Sequence, residues 1–137
     1  MLRSGYRAAA AEASHPPRQH RTLAILLAGA LAARGGAGRE QAKQAGAAYG
    51  RALAAGSRSE AEAMARLEVL GAWYETAPDH IHARNCVFRE ACLSEREVVC
   101  GLQAGILEGA LAAAGLERTL VTAGPDAGGG CTFRIEA

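Results

Sequence analysis

The residues in this 137-residue chain that are best suited to chemistry are its four cysteines. They are separated by five, seven and thirty residues, so the chain has no CxxC pair. Thiolates are soft, charged ligands that suit zinc and iron–sulfur clusters. We expect Cys86, Cys100 and Cys131 to meet where a sheet packs on a helix, and His82 adds a nitrogen donor four residues before Cys86. The alternative is that these thiols are simply buried apolar groups.

Three glycines follow one another at four-residue spacing, at Gly101, Gly105 and Gly109. A glycine inside a helix costs about 1 kcal/mol relative to alanine, so an aligned set needs a reason. Close approach of another helix is the favoured interpretation. A cavity for a flat or apolar ligand would make the same three glycines cofactor-binding residues, and a self-associating dimer face is the third alternative.

His80 and His82 lie two residues apart on a predicted strand, so both side chains project to the same side. Two such imidazoles can ligate a metal or titrate near neutral pH, although exposed strand histidines are common. Enzymatic motifs are missing from the sequence: there is no nucleophile elbow and no Walker A loop, and the glycines at 128–130 precede a strand instead of a helix. We therefore expect a protein that is not an enzyme.

Charge and hydropathy restrict the environment of the chain. Its 15 basic and 14 acidic side chains disfavour a nucleic-acid-coating protein, although residues 1–39 carry six Arg against one Glu and could contact phosphates weakly. The apolar run Thr22–Ala33 is too short to span a membrane. It also follows an overlong basic region containing Pro16 and Pro17, which a secretory signal would not have. We expect a cytoplasmic protein with reduced cysteines and no membrane partner.

Apolar residues make up 50% of the sequence, but 33 of them are alanine, which predicts helices around a thin core. Residues 1–17 are expected to be a tail. The periodicity then predicts three helices, a β-hairpin, a short helix, a long helix and a second β-hairpin. These elements predict that residues 18–137 form one α+β domain with a small antiparallel sheet. Expected boundaries are helices at about 18–34, 39–55 and 95–114 and strands at 73–76, 80–84, 119–123 and 131–136.

Local signals mark several of these boundaries and faces. Ser57 or Ser59 opens the third helix, since each has Glu three residues on, and Ser94 with Glu97 predicts a similar capping box for the long helix. Gly115 is expected to end that long helix. The first helix should bury a leucine-rich face and the second a face of larger residues; these faces are Leu23, Leu26, Leu27, Ala30 and Leu31, and Ala45, Ala48, Tyr49, Ala52 and Leu53.

Three segments together resemble the C-terminal halves of ArsR/MarR-like winged-helix transcriptional regulators. They are His82-Ala83-Arg84-Asn85-Cys86-Val87-Phe88, Val98-Val99-Cys100-Gly101-Leu102 with Ile106-Leu107-Glu108-Gly109, and Gly130-Cys131-Thr132-Phe133-Arg134-Ile135. The resemblance covers about residues 18–137. It implies a regulatory sensor and dimerisation module of a transcriptional regulator, without the DNA-binding domain, of which residues 1–17 would be a remnant.

Iron–sulfur-responsive repressors belong to the same broad group, and this resemblance implies cluster ligands at Cys86, Cys100 and Cys131. A further family cysteine is replaced here by the segment 116–118, so Cys92 or His82 would supply the fourth ligand. The implied partners are a second copy of the chain and a metal or small-molecule effector, with DNA bound only weakly or through another protein. A looser similarity to 4-vinyl-reductase-type sensing domains implies a metal-free module for a small apolar molecule, and a cysteine-dependent enzyme is the third alternative.

Overall fold

The computed structural model describes residues 20–85, 88–125 and 130–136. The expected tail at 1–17 lies outside them. The described elements are α1 (His20–Ala32), α2 (Gly36–Leu53), α3 (Glu60–Arg66), a 3₁₀ helix (Leu67–Leu70), β1 (Tyr74–Thr76), β2 (His80–Ala83), α4 (Arg89–Ser94), α5 (Arg96–Ala113), β3 (Thr119–Pro125) and β4 (Cys131–Glu136). The predicted α+β fold, with its order of helices and hairpins, is confirmed.

The two hairpins join edge to edge into one antiparallel sheet with the strand order β1-β2-β4-β3. Ile81 of β2 lies opposite Phe133 of β4, and Ala83 lies opposite Cys131. Side chains alternate between the two faces of a strand, and these four are all buried. They pack with Leu107 and its neighbours on α5, so one face of the sheet and the long helix enclose the main core.

The central contact of the helical layer is between α2 and α5, whose backbones touch. A Cβ atom placed on Gly109 would lie 1.9 Å from the carbonyl oxygen of Ala47, and one on Gly105 would lie 2.1 Å from that of Lys43. Such distances are impossible for real side chains, so only glycine permits this approach. The predicted close packing along the glycine stripe of α5 is confirmed, with α2 as the partner helix.

The predicted buried face of α2 is wrong, except at Leu53, which is partly buried against the main core. Ala45 and Ala48 are exposed and Tyr49 is about half exposed, whereas the residues that α2 buries are Gly38, Ala42, Gly46 and Gly50. The physical reason is the backbone contact with α5. Because the helices touch, the face between them has no room for large side chains, and these turn to the outside.

The predicted apolar face of α1 is also wrong, except at Leu31, which is partly buried against a small cluster. Leu23, Leu26 and Leu27 are 55%, 65% and 57% exposed, and the residue that α1 buries is Ala28. This helix is apolar on most of its surface, so its periodicity identifies no single inward face. It contacts α2, α4 and α5. No helix in the described ranges is both long and apolar enough to cross a membrane.

Two of the predicted helix ends are confirmed. Of the two candidate serines, Ser59 is the N-cap of α3, since its Oγ accepts a hydrogen bond from the Glu62 N–H at 3.1 Å. Gly115 follows α5 with a φ angle of +84°. The N–H of Gly115 donates to Ala112 O and that of Leu116 to Leu111 O, which is the Schellman arrangement.

The predicted capping box at Ser94 is wrong. Ser94 is the last residue of α4, and Glu95 is the N-cap of α5 without a side-chain capping hydrogen bond. The Glu95 N–H donates to Ala91 O at the end of one helix, and Glu95 O accepts from Val99 N at the start of the next. The two helices therefore share one residue as their joint, which leaves no extended linker for a serine cap to occupy.

Candidate functional site

The joint between α4 and α5 brings two predicted metal ligands together. Cys92 lies on α4 and Cys100 on the second turn of α5, and their Sγ atoms are 3.4 Å apart. In an uninterrupted helix, residues eight apart would be separated by about 12 Å along the axis. Glu95 interrupts the helix with φ −135° and ψ 71°, so α4 folds back and the two thiols meet.

Both thiols are buried in a small apolar cluster beside the main core. The other buried members of this cluster are Ala28, Ala42, Val98 and Val99. The separation of the sulfur atoms is larger than the S–S bond of a disulfide, which is about 2.05 Å. It is close to the separation of two thiolates on one tetrahedral zinc ion, which is about 3.8 Å because each Zn–S bond is about 2.3 Å long. The pair is therefore preorganised for metal ligation or for thiol redox chemistry.

The other two predicted cysteine ligands are Cys131 and Cys86. Cys131 is buried at the start of β4, and its side chain belongs to the main core between the sheet and α5. Cys86 lies outside the described residues, three positions after Ala83, which is the β2 partner of Cys131. Within the described part of the chain, no three His, Cys, Asp or Glu side chains come together as a metal-binding group.

His82 is on the other face of the sheet. Ile81 and Ala83 point from β2 into the core, so His82, which alternates with them, projects away from α5. Its Nδ1 lies 3.4 Å from Glu75 Oε1 on the neighbouring strand. The structure therefore separates His82 from the Cys92–Cys100 pair by the thickness of the sheet, contrary to the expectation that it could complete a site with the cysteines.

His80 shares the outer face of the sheet with His82, as the strand alternation predicts. The Nδ1 of His80 lies 2.8 Å from Asp79 Oδ1 at the exposed β1–β2 turn. This hydrogen bond, together with the charge of a protonated imidazole, holds the pKa of the Asp79 carboxyl below its ordinary value. The two histidines each face a carboxylate of the same hairpin.

The glycine stripe divides between a helix contact and a cavity. Gly105 and Gly109 lie under α2, so a ligand over them would have to displace that helix. Gly101, one turn earlier, lines a cavity of about 450 Å³ between α2, α5 and β3. Of the three predicted cofactor-binding glycines, Gly101 is therefore the one with space for a ligand. Cys100 lines the same cavity.

An apolar groove of about 520 Å³ was missed by the sequence-based prediction. It lies between α1, α2, α4 and α5, and its lining includes Leu27, Leu31, Ala45, Phe88 and Leu102, with Gln41 as a polar member. The residues come from four helices, so no sequence spacing could have identified it. The apolar run at Thr22–Ala33 was the one available signal, because it contains more leucine than the helix can bury.

An ion pair that ties the glycine-packed helices to the sheet was also missed. Lys43 Nζ lies 2.9 Å from Glu108 Oε2 and donates to the Leu120 carbonyl oxygen at 3.3 Å. The same Glu108 oxygen accepts a hydrogen bond from the Leu120 N–H at 2.7 Å. These contacts hold the start of β3 against α2 and α5, and so define one wall of the cavity that Cys100 and Gly101 line.

Comparison of the chain with known protein families, with curated proteins and with solved structures finds no match. The thiol pair, the cavity and the groove are the features of the described structure that bear on function.

Proposed function

We propose that this chain is a regulatory sensor module of a transcriptional regulator, and that its input site is built on the Cys92–Cys100 pair. The observation that supports the proposal is the 3.4 Å contact between two buried thiols from two different helices. A ligand that changes this contact acts on the joint at Glu95 and so on the relative placement of α4 and α5. That coupling between a small chemical event and a helix pair is what a sensor requires.

The proposed effector is either a zinc ion or an iron–sulfur cluster, both of which bind thiolate ligands. Cys92 and Cys100 fit two of its ligand positions, because their sulfur atoms are already near the separation that a shared metal imposes. In this proposal Cys86 supplies a further thiolate. Cys131, which lies in the main core, and His82, on the outer face of the sheet, do not take part. When bound, the metal would lock the two helices together at their joint.

Metal content tests this proposal directly. Protein purified anaerobically should contain metal or take up Co²⁺ with the absorption of thiolate-to-metal charge transfer. We expect Cys92→Ser and Cys100→Ser to lose most of the bound metal. His82→Gln is the matched control and should keep it. A folded protein that is colourless and metal-free and that takes up no Co²⁺ would refute the metal proposal, as would unchanged metal content in both serine variants.

A metal-free module for a small apolar molecule is the second candidate function, and the apolar groove favours it. Its volume of about 520 Å³ falls within the range of ligand sites, which is about 300–1,000 Å³. Its walls are almost entirely apolar side chains, with the amide of Gln41 able to orient a polar end of a ligand. The site lies between α1 and the rest of the helical layer, so an occupant would fix the position of α1.

An apolar fluorophore such as N-phenyl-1-naphthylamine tests the groove. We expect saturable binding at one site, abolished by Ala45→Phe, which fills the groove. Ala48→Phe is the matched control, since Ala48 is exposed on the same helix and outside the groove. Equal binding by the two variants would refute the groove as a ligand site.

A further inference from the structure

Cys100 takes part in two features of the structure, the contact with Cys92 and the lining of a cavity. Its sulfur contacts Cys92 at 3.4 Å, and the residue also lines the cavity of about 450 Å³ between α2, α5 and β3. Cys100 is only 3% exposed, and a small molecule in this cavity would be next to it. Cys92 does not line this cavity.

The walls of the cavity are polar enough to admit a small hydrogen-bonding solute. Lys43, Arg96, Glu97 and Thr122 all line it, together with Cys100 and Gly101. Lys43 is paired with Glu108 at 2.9 Å, and Glu97 with Arg39 at 3.2 Å. These charged and hydroxyl groups can hydrogen-bond a small polar solute, beside the apolar side chains of Ala104, Leu120 and Val121. A hydroperoxide is a solute of this kind.

We propose that Cys100 and Cys92 form a dithiol site that is oxidised to a disulfide by a hydroperoxide entering through this cavity. The proposal needs no bound metal and so goes beyond the sensor function argued above. The sulfur atoms must approach each other by about 1.4 Å to reach the disulfide bond length of about 2.05 Å. Both lie next to the Glu95 joint, where the helix is already interrupted, so this movement does not require a regular helix to break.

The reaction balances in two steps. The Cys100 thiolate attacks one peroxide oxygen, the O–O bond breaks, and the leaving alkoxide takes the thiol proton to give an alcohol and a sulfenic acid. The Cys92 sulfur then attacks the Cys100 sulfur, the S–O bond breaks, and hydroxide leaves as water with the Cys92 proton. Two thiols and one alkyl hydroperoxide give one disulfide, one alcohol and one water, and with hydrogen peroxide the products are one disulfide and two waters.

Peptide mapping of the full chain tests the proposal. The chain is reduced, stripped of metal with a chelator and treated with hydrogen peroxide at near-stoichiometric concentration. We expect the intact mass to fall by two hydrogens, about 2 Da, with a cross-linked peptide joining Cys92 to Cys100. Cys131→Ser should react at the same rate. Cys92→Ser should stop at a sulfenic acid on Cys100 that dimedone traps. A folded wild-type chain without this cross-link would overturn the proposal.

A larger side chain in the cavity tests whether the hydroperoxide reaches Cys100 through it. A Cβ on Gly101 would meet its nearest neighbour, Arg39 O, at 3.8 Å, which is an ordinary contact, so Gly101→Leu adds a side chain to the cavity lining without a backbone clash at Cβ. We expect this variant to form the cross-link at least about tenfold more slowly. Ala48→Leu, at an exposed residue that does not line the cavity, should match wild type. An unchanged rate in Gly101→Leu would overturn entry through the cavity.

The two proposals fail separately. Protein that forms the cross-link but binds no metal would refute the metal site and retain the dithiol site. Protein that binds metal in a Cys92- and Cys100-dependent way but forms no cross-link when metal-free would do the reverse.

Discussion

At the scale of single residues, the α5 glycines differ in what surrounds them although their spacing is regular. Gly109 faces the α2 backbone at a distance that no side chain could share, whereas Gly101 faces the open cavity. The same residue type therefore has two roles on one helix. Gly109 permits helix contact, and Gly101 leaves a space that a larger residue would fill.

Alanine substitutions should separate these roles. Gly109→Ala is expected to lower the free energy of unfolding by about 3 kcal/mol, because its Cβ would overlap Ala47 O and push α2 away from α5. Gly101→Ala is expected to raise it by about 0.5–1 kcal/mol, since alanine favours the helix and meets no close neighbour. Urea denaturation followed by circular dichroism measures both. Equal effects from the two variants would contradict the assigned α2–α5 contact.

Gln103 is a polar residue inside the main core. It is 1% exposed, and its Nε2 donates to the Tyr74 hydroxyl at 3.3 Å, while its Oε1 has no hydrogen-bond partner in the described structure. An unsatisfied buried carbonyl costs about 1–3 kcal/mol. We expect Gln103→Met to raise the free energy of unfolding by about 1 kcal/mol in the same denaturation assay. Destabilisation by that amount would show that Oε1 is satisfied in solution.

At the scale of elements, the two serine caps predicted from the same motif have different outcomes. Ser59 caps α3 with its Oγ, whereas Ser94 ends α4 and caps nothing. Ser59→Ala should therefore lower the free energy of unfolding by about 1 kcal/mol, and Ser94→Ala should change it by less than about 0.5 kcal/mol. Thermal unfolding of the two variants side by side is the measurement. A larger loss in Ser94→Ala would mean that the α4–α5 joint adopts the capped form in solution.

The β1–β2 turn carries a carboxyl group, that of Asp79, whose pKa is shifted by its neighbours. The pKa of the Asp79 carboxyl lies below its ordinary value because His80 donates to it. A carboxyl whose pKa is lowered by folding stabilises the fold above its ordinary pKa, and this contribution is lost as the pH falls through the lowered value. NMR titration of His80→Gln should show the Asp79 pKa moving upward. No movement would assign the shift to the backbone of the turn.

At the scale of the whole molecule, two buried clusters share a boundary. The main core lies between α5 and the sheet. The smaller cluster that holds Cys92 and Cys100 lies between α1, α2, α4 and α5. Phe88 and Leu102 pack against both clusters. These two side chains and α5 itself therefore connect the thiol pair with the main core.

We propose that the chain forms a homodimer, with α1 in the interface. Leu23 and Leu26 are more than half exposed, and an apolar helix of this kind is normally covered. Light scattering should show a dimer at micromolar concentration. Leu23→Glu with Leu26→Glu should shift it to monomer without unfolding it, and Val69→Glu, an exposed apolar residue elsewhere, should not. A monomeric wild type, or a dimer unaffected by the double variant, would contradict this interface.

Local sequence signals were sufficient for the kinds and order of the elements. Ser59 with Glu62 and the glycine at 115 mark helix ends because capping is a matter of neighbouring residues. The alternation of His80 and His82 with Ile81 and Ala83 identifies the outer face of β2 for the same reason. The predicted capping box at Ser94 was wrong because the motif does not include the hydrogen bonds that the preceding helix makes.

What the sequence by itself determined was the α+β composition of the fold, the two hairpins and the small-residue stripe that allows close helix packing. Only the tertiary structure decided that α2 covers that stripe, that the hairpins join through β2 and β4, and that Cys92 meets Cys100. Local conformation depends on a few adjacent side chains, whereas these contacts depend on which distant surfaces fit together. That fit is a property of the packed whole, so neither residue spacing nor periodicity can encode it in a readable pattern.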